Sequence, residues 1–189
     1  MKLNKKIKIT IGCFMLCLIP FQTYAHTSGS TGSESSQWIL DINNHAGTTS
    51  IGYKIDVSVN STYASYIKDG AARWNSVGPV SFFNTNTTNK GVFSAYADPD
   101  TSTVAFFGNY SSTNGHLSSW NIFLNIPKLD AKTVEGRKVT MAHELGHSIG
   151  LNDLYSSNNI GVLMYGYSDR NATYPTAADK AGATEGVKN

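Results

Sequence analysis

The 189-residue sequence is poor in cysteine, in charged residues and in long apolar runs. Its two cysteines, Cys13 and Cys17, both fall within the first 25 residues. The rest of the chain therefore has no disulfide, no thiol nucleophile and no thiolate metal site. Charged residues make up 15% of the chain and apolar residues 40%, which is unlike a disordered chain or a coiled coil. A chain of this length is expected to form one domain with a buried core.

The first 25 residues have the features of a secretory signal. Four lysines within the first eight residues precede an apolar run from Ile9 to Phe21, and small residues lead up to Ala25. We predict cleavage after Ala25. The apolar run is too short to cross a membrane comfortably. The chain is therefore expected to be secreted and extracellular, with no stable membrane association once residues 1–25 are removed.

The positive charge of the chain belongs to this signal. Removing four of the 15 Lys and Arg residues leaves 11 against 13 acidic residues, a formal net charge of −2, so no nucleic-acid partner is expected. Residues 26–37, HTSGSTGSESSQ, have no apolar side chain to bury and are predicted to be a flexible tail or a short propeptide. Residues 38–189 are predicted to be the folded domain, and a monomer is expected.

Hydrophobic periodicity predicts an α+β fold. Residues 51–59 alternate like a strand, and a helix is predicted from a cap at Ser61 or Thr62 through Ser76. Apolar residues at spacings of three and four lie on one face of that helix: Tyr63, Ile67, Ala71 and Trp74. The later segments are strands at 80–83, 91–97, 103–107 and 121–125, a second helix at 132–150 and a short helix beginning near Thr176. This order favours a small sheet backed by two helices, followed by an irregular C-terminal part.

The second predicted helix carries the sequence HELGH, an HExxH motif. His143 and His147 are four residues apart and share one helix face, so both imidazoles can bind one zinc ion. Glu144 follows the first histidine, where its carboxylate can contact a metal-bound water rather than the metal. The alternative is a surface helix with two solvated histidines, but that interpretation does not account for the residues that follow.

The motif continues as HELGHSIGLND and ends at Asp153. Gly150 tolerates a positive φ, which would stop the helix and turn the chain sharply. The turn can return Asp153 to the same metal as a third ligand and leave a fourth position for water, as in catalytic zinc sites. Met164 follows eleven residues later in the sequence LMYG. A methionine in a tight turn there would be soft packing beneath the histidines.

This pattern, HExxHxxGxx with a metal ligand and a Met-turn, resembles the metzincins, and an aspartate as third ligand is similar to the snapalysins. Further likeness lies at 71–75 (AARWN), at 114–116 (NGH) with 120–125 (WNIFLN), and at 173–183. The resemblance implies that 38–189 is a metzincin-like catalytic domain with a small mixed twisted sheet, two main helices and an irregular C-terminal subdomain ending in a short helix. It assigns residues as follows: His143, His147 and Asp153 to one catalytic zinc ion, Glu144 to general-base catalysis and Met164 to the Met-turn.

The same resemblance implies a secreted zinc-dependent endopeptidase that hydrolyses peptide bonds through a zinc-bound water. A protein or peptide substrate would lie extended along the cleft. The stretch 95–107 and the strand near Ile122 would lie above the cleft, and the strand would pair with the substrate as one more strand. The loop 166–175 would form a wall on the leaving-group side.

Other residues carry weaker signals. His116 is a candidate structural metal ligand, but a lone loop histidine is more often solvated. Asp98 and Asp100 are candidate calcium ligands, but few oxygen ligands surround them in sequence, so a polar turn is the better interpretation. Tyr165 or Tyr167 would help to stabilise the oxyanion by resemblance to some relatives, and a core or surface tyrosine is an equal alternative.

His26 would become the N-terminal residue after signal cleavage, and an N-terminal histidine can chelate copper with its own amine. That site needs a second histidine, for which His45 and His116 are the remaining candidates. The segment after His26 is predicted to be too flexible for a rigid site, so a copper enzyme is disfavoured.

Two functions of different classes remain. Peptide-bond hydrolysis is the leading hypothesis. The rival is a secreted non-enzymatic binding module that retains a metzincin-like metal site. Glu144 favours the enzyme, because a purely structural metal site has no use for a base.

Overall fold

The computed structural model describes residues 29–87 and 90–189, so the predicted signal, both cysteines and His26 lie outside the described residues. The strands are β1 (Ser30–Ser33), β2 (Trp38–Asp41), β3 (Ser50–Ile55), β4 (Ser81–Asn84), β5 (Gly91–Tyr96), β6 (Ala105–Thr113) and β7 (His116–Asn125). The α-helices are α1 (Ser61–Val77), α2 (Ile126–Asp130), α3 (Val134–His147) and α4 (Ala177–Gly186), with a 3-10 turn at Ser157–Asn159. Within the described ranges, no helix has the length and apolar content that crossing a membrane requires.

Five strands form one mixed sheet in the order β4-β3-β5-β7-β6. β3 runs parallel to β4 and β5, β5 runs parallel to β7, and β6 runs antiparallel to β7. Large side chains of the sheet are buried in the hydrophobic core: Tyr53, Phe93, Trp120 and Ile122. The predicted α+β class with a small mixed sheet is confirmed. The antiparallel β6 lies at the end of the sheet, which leaves one of its edges without a partner among the described strands.

Helix α1 packs against α3, the helix that carries the HExxH motif. Its predicted apolar face is buried: Tyr63, Ile67, Ala71 and Trp74. The indole nitrogen of Trp74 donates a 2.7 Å hydrogen bond to the carbonyl of Ala142 in α3. The cap is Asn60, one residue before the predicted position, and its side chain accepts from the backbone N–H of Tyr63. Asn caps a helix as well as Ser does, so sequence alone did not separate the neighbouring candidates.

The hairpin of β6 and β7 is longer than the sequence indicates. The predicted strand at 103–107 begins at 105 and extends to 113, and the predicted strand at 121–125 begins at 116. The added residues are rich in Ser, Asn and Gly, which favour turns when read locally. Antiparallel pairing between the two strands, down to Thr113 opposite His116, makes them strands instead. The second predicted helix, in contrast, is shorter than the sequence indicates, because it ends at His147 rather than at residue 150.

The N-terminal hairpin of β1 and β2 is joined to the domain. Leu40 pairs with Leu151 in an antiparallel bridge, and the backbone N–H of Asn152 donates to the carbonyl of Ile39 at 2.8 Å. Residues 29–37, the described part of the predicted tail, therefore fold with the domain rather than apart from it. Backbone pairing needs no apolar side chain, which is why the composition of the segment did not reveal it. The predicted cleavage site lies outside the described residues.

Candidate metal centre

Helix α3 presents His143, Glu144 and His147 at one cleft. Its first turn is capped by Thr133, whose side chain accepts from the backbone N–H of Gly136, and its apolar face is buried. The two histidines are one helical turn apart, and their rings meet edge to face with centroids separated by 4.9 Å. The helix therefore places both imidazoles and the glutamate on one side before any tertiary contact is considered.

The chain reverses direction at Gly150, three residues beyond the helix. Its φ is +106°, a conformation that glycine adopts without strain. A Cβ at this position would lie 2.6 Å from the Cβ of His45, so a larger residue does not fit. The turn brings Asp153 back to the helix, with its Oδ1 3.0 Å from Nε2 of His143 and 3.7 Å from Nε2 of His147. The structure thus brings together all three predicted ligands.

The other nitrogen of each imidazole is held by a backbone carbonyl. Nδ1 of His143 donates to the carbonyl of Leu163 at 2.9 Å, and Nδ1 of His147 donates to the carbonyl of Leu151 at 2.7 Å. With the ring proton on Nδ1, each Nε2 keeps its lone pair. Such outer contacts set the tautomer and the ring orientation of metal-binding histidines.

Two lone pairs and a carboxylate oxygen therefore face one another with no proton between them. Among the described residues, Oδ1 of Asp153 is buried and has no hydrogen-bond partner. The ligand atoms of His143, His147 and Asp153 all lie within 4.8 Å of one another, and they are the one such group in the described ranges. Three acceptors at this distance repel unless a cation lies among them. The donor set and its number fit a catalytic zinc ion.

Glu144 is buried beside these atoms and lines the same cleft. Its Oε2 has no hydrogen-bond partner among the described residues. Burial raises the pKa of Glu144 to about 7, although the positive charge of Arg170 opposes this shift. A carboxyl with a pKa near 7 can take up and release a proton at neutral pH, which suits general acid–base chemistry.

The pKa values of His143 and Asp153 are shifted towards the protonation states that a metal needs. Burial lowers the pKa of His143 to about 4, so its ring is neutral at pH 7. Although burial opposes it, contact with His143 and the hydrogen bond from Tyr155 hold the pKa of Asp153 below its ordinary value. The hydroxyl of Tyr155 donates to Oδ2 of Asp153 at 3.2 Å. This bond orients the carboxylate from the side away from the histidines.

The predicted Met-turn, residues 163–166, lies against α3 below the histidines. Met164 is 1% exposed, and a Cβ on Gly146 would lie 2.3 Å from its sulfur. The thioether therefore packs directly on the helix between the two histidines. Leu154 holds the turn with two backbone bonds, donating to the carbonyl of Met164 at 2.9 Å and accepting from Gly166 at 2.8 Å.

A buried carboxylate that the sequence analysis missed, Asp179 of α4, also holds this turn. Its two oxygens accept from the backbone N–H groups of Leu163 and Met164, each at 3.1 Å. It also accepts from the N–H and hydroxyl of Thr176, both at 2.7 Å. The Leu163–Met164 peptide thus donates to Asp179 and accepts from His143. The Thr-x-x-Asp spacing signals a helix cap in the sequence, but nothing local points to the Met-turn.

The cleft above the metal group has a volume of about 390 Å³. Residues 102–107 form one wall, and Gly166, Ser168 and Arg170 form the other. The expectation that the strand near Ile122 would pair with substrate is wrong, because that strand, β7, is bonded to β5 on one side and β6 on the other. Among the described strands, β4 and β6 form the two edges of the sheet, and the first residues of β6 line the cleft.

The residues with weaker signals lie outside the metal group. His116 stacks edge to face on His45, with ring centroids 4.8 Å apart, and belongs to no metal-binding group within the described ranges. Tyr165 is buried and contacts the exposed Tyr167, and neither lines the cleft. Oδ1 of Asp98 accepts from two backbone N–H groups of its own turn, in keeping with the polar-turn interpretation.

Comparison with known proteins identifies the family. The sequence profile of the Streptomyces extracellular neutral proteinase (M7) family matches residues 51–184, which include every predicted site residue. No curated protein matches the chain. Among solved structures, the chain is similar to High choriolytic enzyme 1, a hatching enzyme zinc-protease from Oryzias latipes (medaka fish), at 17% identity and a TM-score of 0.37. The match covers 67% of this chain, which spans only 55% of the length of that protein. With its profile match over more than half of its length, the chain belongs to the Streptomyces extracellular neutral proteinase (M7) family.

Proposed function

We propose that this protein is a secreted zinc metalloprotease of the metzincin type that hydrolyses internal peptide bonds, with His143, His147 and Asp153 as the zinc ligands and Glu144 as the general base. One observation carries the assignment. Three metal-binding atoms converge beside a buried carboxylate that has no hydrogen-bond partner among the described residues. The predicted signal and the extracellular family together support secretion.

The chemistry divides between the metal and Glu144. A zinc ion held by the three ligands would polarise a scissile carbonyl and would make a bound water more acidic. Glu144 accepts the proton of the attacking water and returns it to the departing amine. The orientations of His143 and Asp153 are fixed by hydrogen bonds. The backbone carbonyl of Leu163 holds the ring of His143, and the hydroxyl of Tyr155 holds the carboxylate of Asp153.

The substrate would lie along β6. This strand is the edge of the sheet that lines the cleft, through its residues 105–107. An extended peptide can add to such an edge by main-chain hydrogen bonds. Antiparallel addition would run the substrate from the Tyr110 end of β6 towards the Ala105 end. The residues before the scissile bond would then lie near Tyr110, and the residues after it would lie between Ala105 and Arg170.

Replacing Glu144 with Gln tests the base. A glutamine side chain at this position cannot take up a proton, but it keeps the size of the glutamate and leaves the three proposed ligands in place. We expect full zinc occupancy and a fall in kcat of at least about 10²-fold on casein. Wild-type protein treated with a chelator is the inactive reference. Undiminished proteolysis by zinc-loaded Glu144→Gln protein would rule out the assignment, and no proteolysis by the wild type would favour the binding module.

Replacing Asp153 with Ala tests the ligand set. Two protein ligands remain in that variant, so we expect zinc to be lost or bound far more weakly. The measurement is the zinc content of the purified protein by elemental analysis. Asp100→Ala is the matched control, since Asp100 is an exposed carboxylate outside the metal-binding group. Wild-type occupancy and affinity in Asp153→Ala would mean that the third ligand is a different residue.

A further inference from the structure

Arg170 lies in the wall of the cleft beyond Glu144. It lines the cleft together with Gly166 and Ser168, opposite residues 102–107 of the other wall. Its Nε donates a 2.9 Å hydrogen bond to the carbonyl of Tyr165, next to the Met-turn. This bond anchors the base of the guanidinium group, and it leaves the two terminal nitrogens as the groups that can face a ligand.

Those two nitrogens have no ion-pair or hydrogen-bond partner among the described residues. Four acidic residues raise the pKa of Arg170 through their charge: Glu144, Asp153, Asp179 and Asp169. None of them forms an ion pair with Arg170. Burial lowers the pKa of Arg170 despite these negative charges. A partly buried guanidinium without a paired carboxylate is unfavourable, and a carboxylate ligand would relieve that cost.

A second cation lies next to Arg170. Lys132 and Arg170 together line an adjoining cavity of about 190 Å³. Glu135 also lines this cavity, but it is bound to the guanidinium of Arg73 at 2.8 and 3.1 Å. Burial and the charge of Arg170 lower the pKa of Lys132. The cavity therefore holds two cations, while its carboxylate is already paired, so it favours an anion.

We propose that Arg170 binds a carboxylate on the leaving-group side of the scissile bond and so determines which peptide bonds are cleaved. The inference rests on the proposed hydrolysis and on antiparallel pairing of substrate with β6, which places the residues after the bond beside Arg170. The planar guanidinium can bind a carboxylate through two parallel N–H groups. That carboxylate is either the side chain of an acidic residue directly after the bond or the free C-terminus of a short leaving fragment.

Matched peptides test the proposal. One series has Glu, Gln or Leu directly after the scissile bond and an amidated C-terminus. A second series has Leu at that position and releases a dipeptide whose C-terminus is either a free acid or an amide. We expect the carboxylate member of at least one pair to be cleaved with a kcat/KM about ten- to a hundred-fold higher, the scale of a charge-assisted hydrogen-bond pair. The series that responds identifies the source of the carboxylate.

Arg170→Gln should reduce the ratio of kcat/KM between the carboxylate peptide and its neutral match to near one. Arg170→Lys should restore part of this ratio, because it returns the positive charge without the two parallel N–H groups of the guanidinium. Lys180→Gln is the control, because it removes the same charge from an exposed position on α4 and should keep the wild-type ratio. A wild-type ratio near one in both series would overturn the proposal even if Arg170→Gln misfolds. A preference for the carboxylate peptide that stays at its wild-type size in Arg170→Gln would also overturn the proposal. Cleavage of the Leu peptides keeps the two questions apart, because its absence counts against the hydrolysis itself.

Discussion

His143 and His147 are one turn apart on the same helix, yet opposite ends of the chain support them. The C-terminal helix supports His143: Asp179 binds the Leu163–Met164 peptide, whose carbonyl accepts from His143. The N-terminal hairpin supports His147. The ring of His147 donates to the carbonyl of Leu151, and Leu151 pairs with Leu40 of the hairpin. The side chain of His143 is 5% exposed and that of His147 is 16% exposed.

Each support has a carboxylate that binds backbone N–H groups, and the two carboxylates differ in burial. Asp179 is fully buried, and burial raises its pKa despite four donors. Glu34 of the hairpin accepts from Tyr155 at 2.7 Å and Ser156 at 3.2 Å, just beyond Asp153. Although its slight burial opposes it, these bonds lower the pKa of Glu34. The same bonding pattern therefore has opposite pKa effects, because only the partly exposed carboxylate, Glu34, keeps much of its hydration.

Asp179→Ala should produce the largest effect on stability. It leaves the buried N–H groups of Leu163 and Met164 without acceptors, so the free energy of unfolding should fall by about 3–5 kcal/mol. Urea unfolding of the zinc-loaded protein measures it. Glu185→Ala on the same helix is the control and should stay within about 0.5 kcal/mol of wild type. A loss below about 1 kcal/mol would mean that the turn is not held by Asp179.

The contributions of Asp179 and Glu34 to the free energy of unfolding should change with pH in opposite directions. The pKa of Asp179 is raised in the fold, so its contribution to stability is full below its unfolded value of about 3.9 and is lost as pH rises through the folded pKa. The stability difference between wild type and Asp179→Asn should therefore shrink with rising pH. The pKa of Glu34 is lowered, so the difference for Glu34→Gln should grow as pH rises towards about 4.5 and then level off. Unfolding of zinc-free proteins from pH 3 upwards measures both, and slopes of equal sign would contradict the comparison.

Met164→Leu, next to the buried His143, should have a moderate effect on stability. The replacement nearly conserves volume, so the free energy of unfolding should fall by less than about 1.5 kcal/mol. Zinc content and most of the proteolytic activity should survive, because Met164 packs on the helix and is not a ligand. Thermal unfolding and elemental analysis check these points together. Complete loss of zinc from a folded variant would contradict the packing role.

Glu34→Ala should have the smallest effect on stability, under about 1 kcal/mol, because water can hydrate the released N–H groups of Tyr155 and Ser156. The loop that follows Asp153 should nevertheless loosen. We expect zinc affinity to fall by up to about tenfold, since contacts behind a ligand orient it. Competition with a zinc chelator gives the affinity. An unchanged affinity would show that the hairpin does not support the metal centre.

The site was easier to predict than its supports. The contacts that place Asp153 follow from a helix and one glycine turn, so a short motif contains them. Glu34 lies 121 residues before its partner Tyr155, and its own segment looks like a polar tail. Asp179 was predictable as a helix cap, but its contact with the Met-turn was not. The substrate strand was assigned wrongly, because which strand lies at the edge of a sheet depends on the pairing of all the others.

Local sequence patterns were enough to predict the three metal-binding residues, the resemblance to the family and the α+β class, because helical spacing and the turn at Gly150 are local properties. Which strand edge faces the cleft, and which carboxylates hold the two sides of the site, followed from the folded structure alone. The folded structure also decided that Arg170 lies in the cleft wall with two nitrogens that no described residue pairs. These features are contacts between distant segments, and their energies depend on burial that no local pattern encodes.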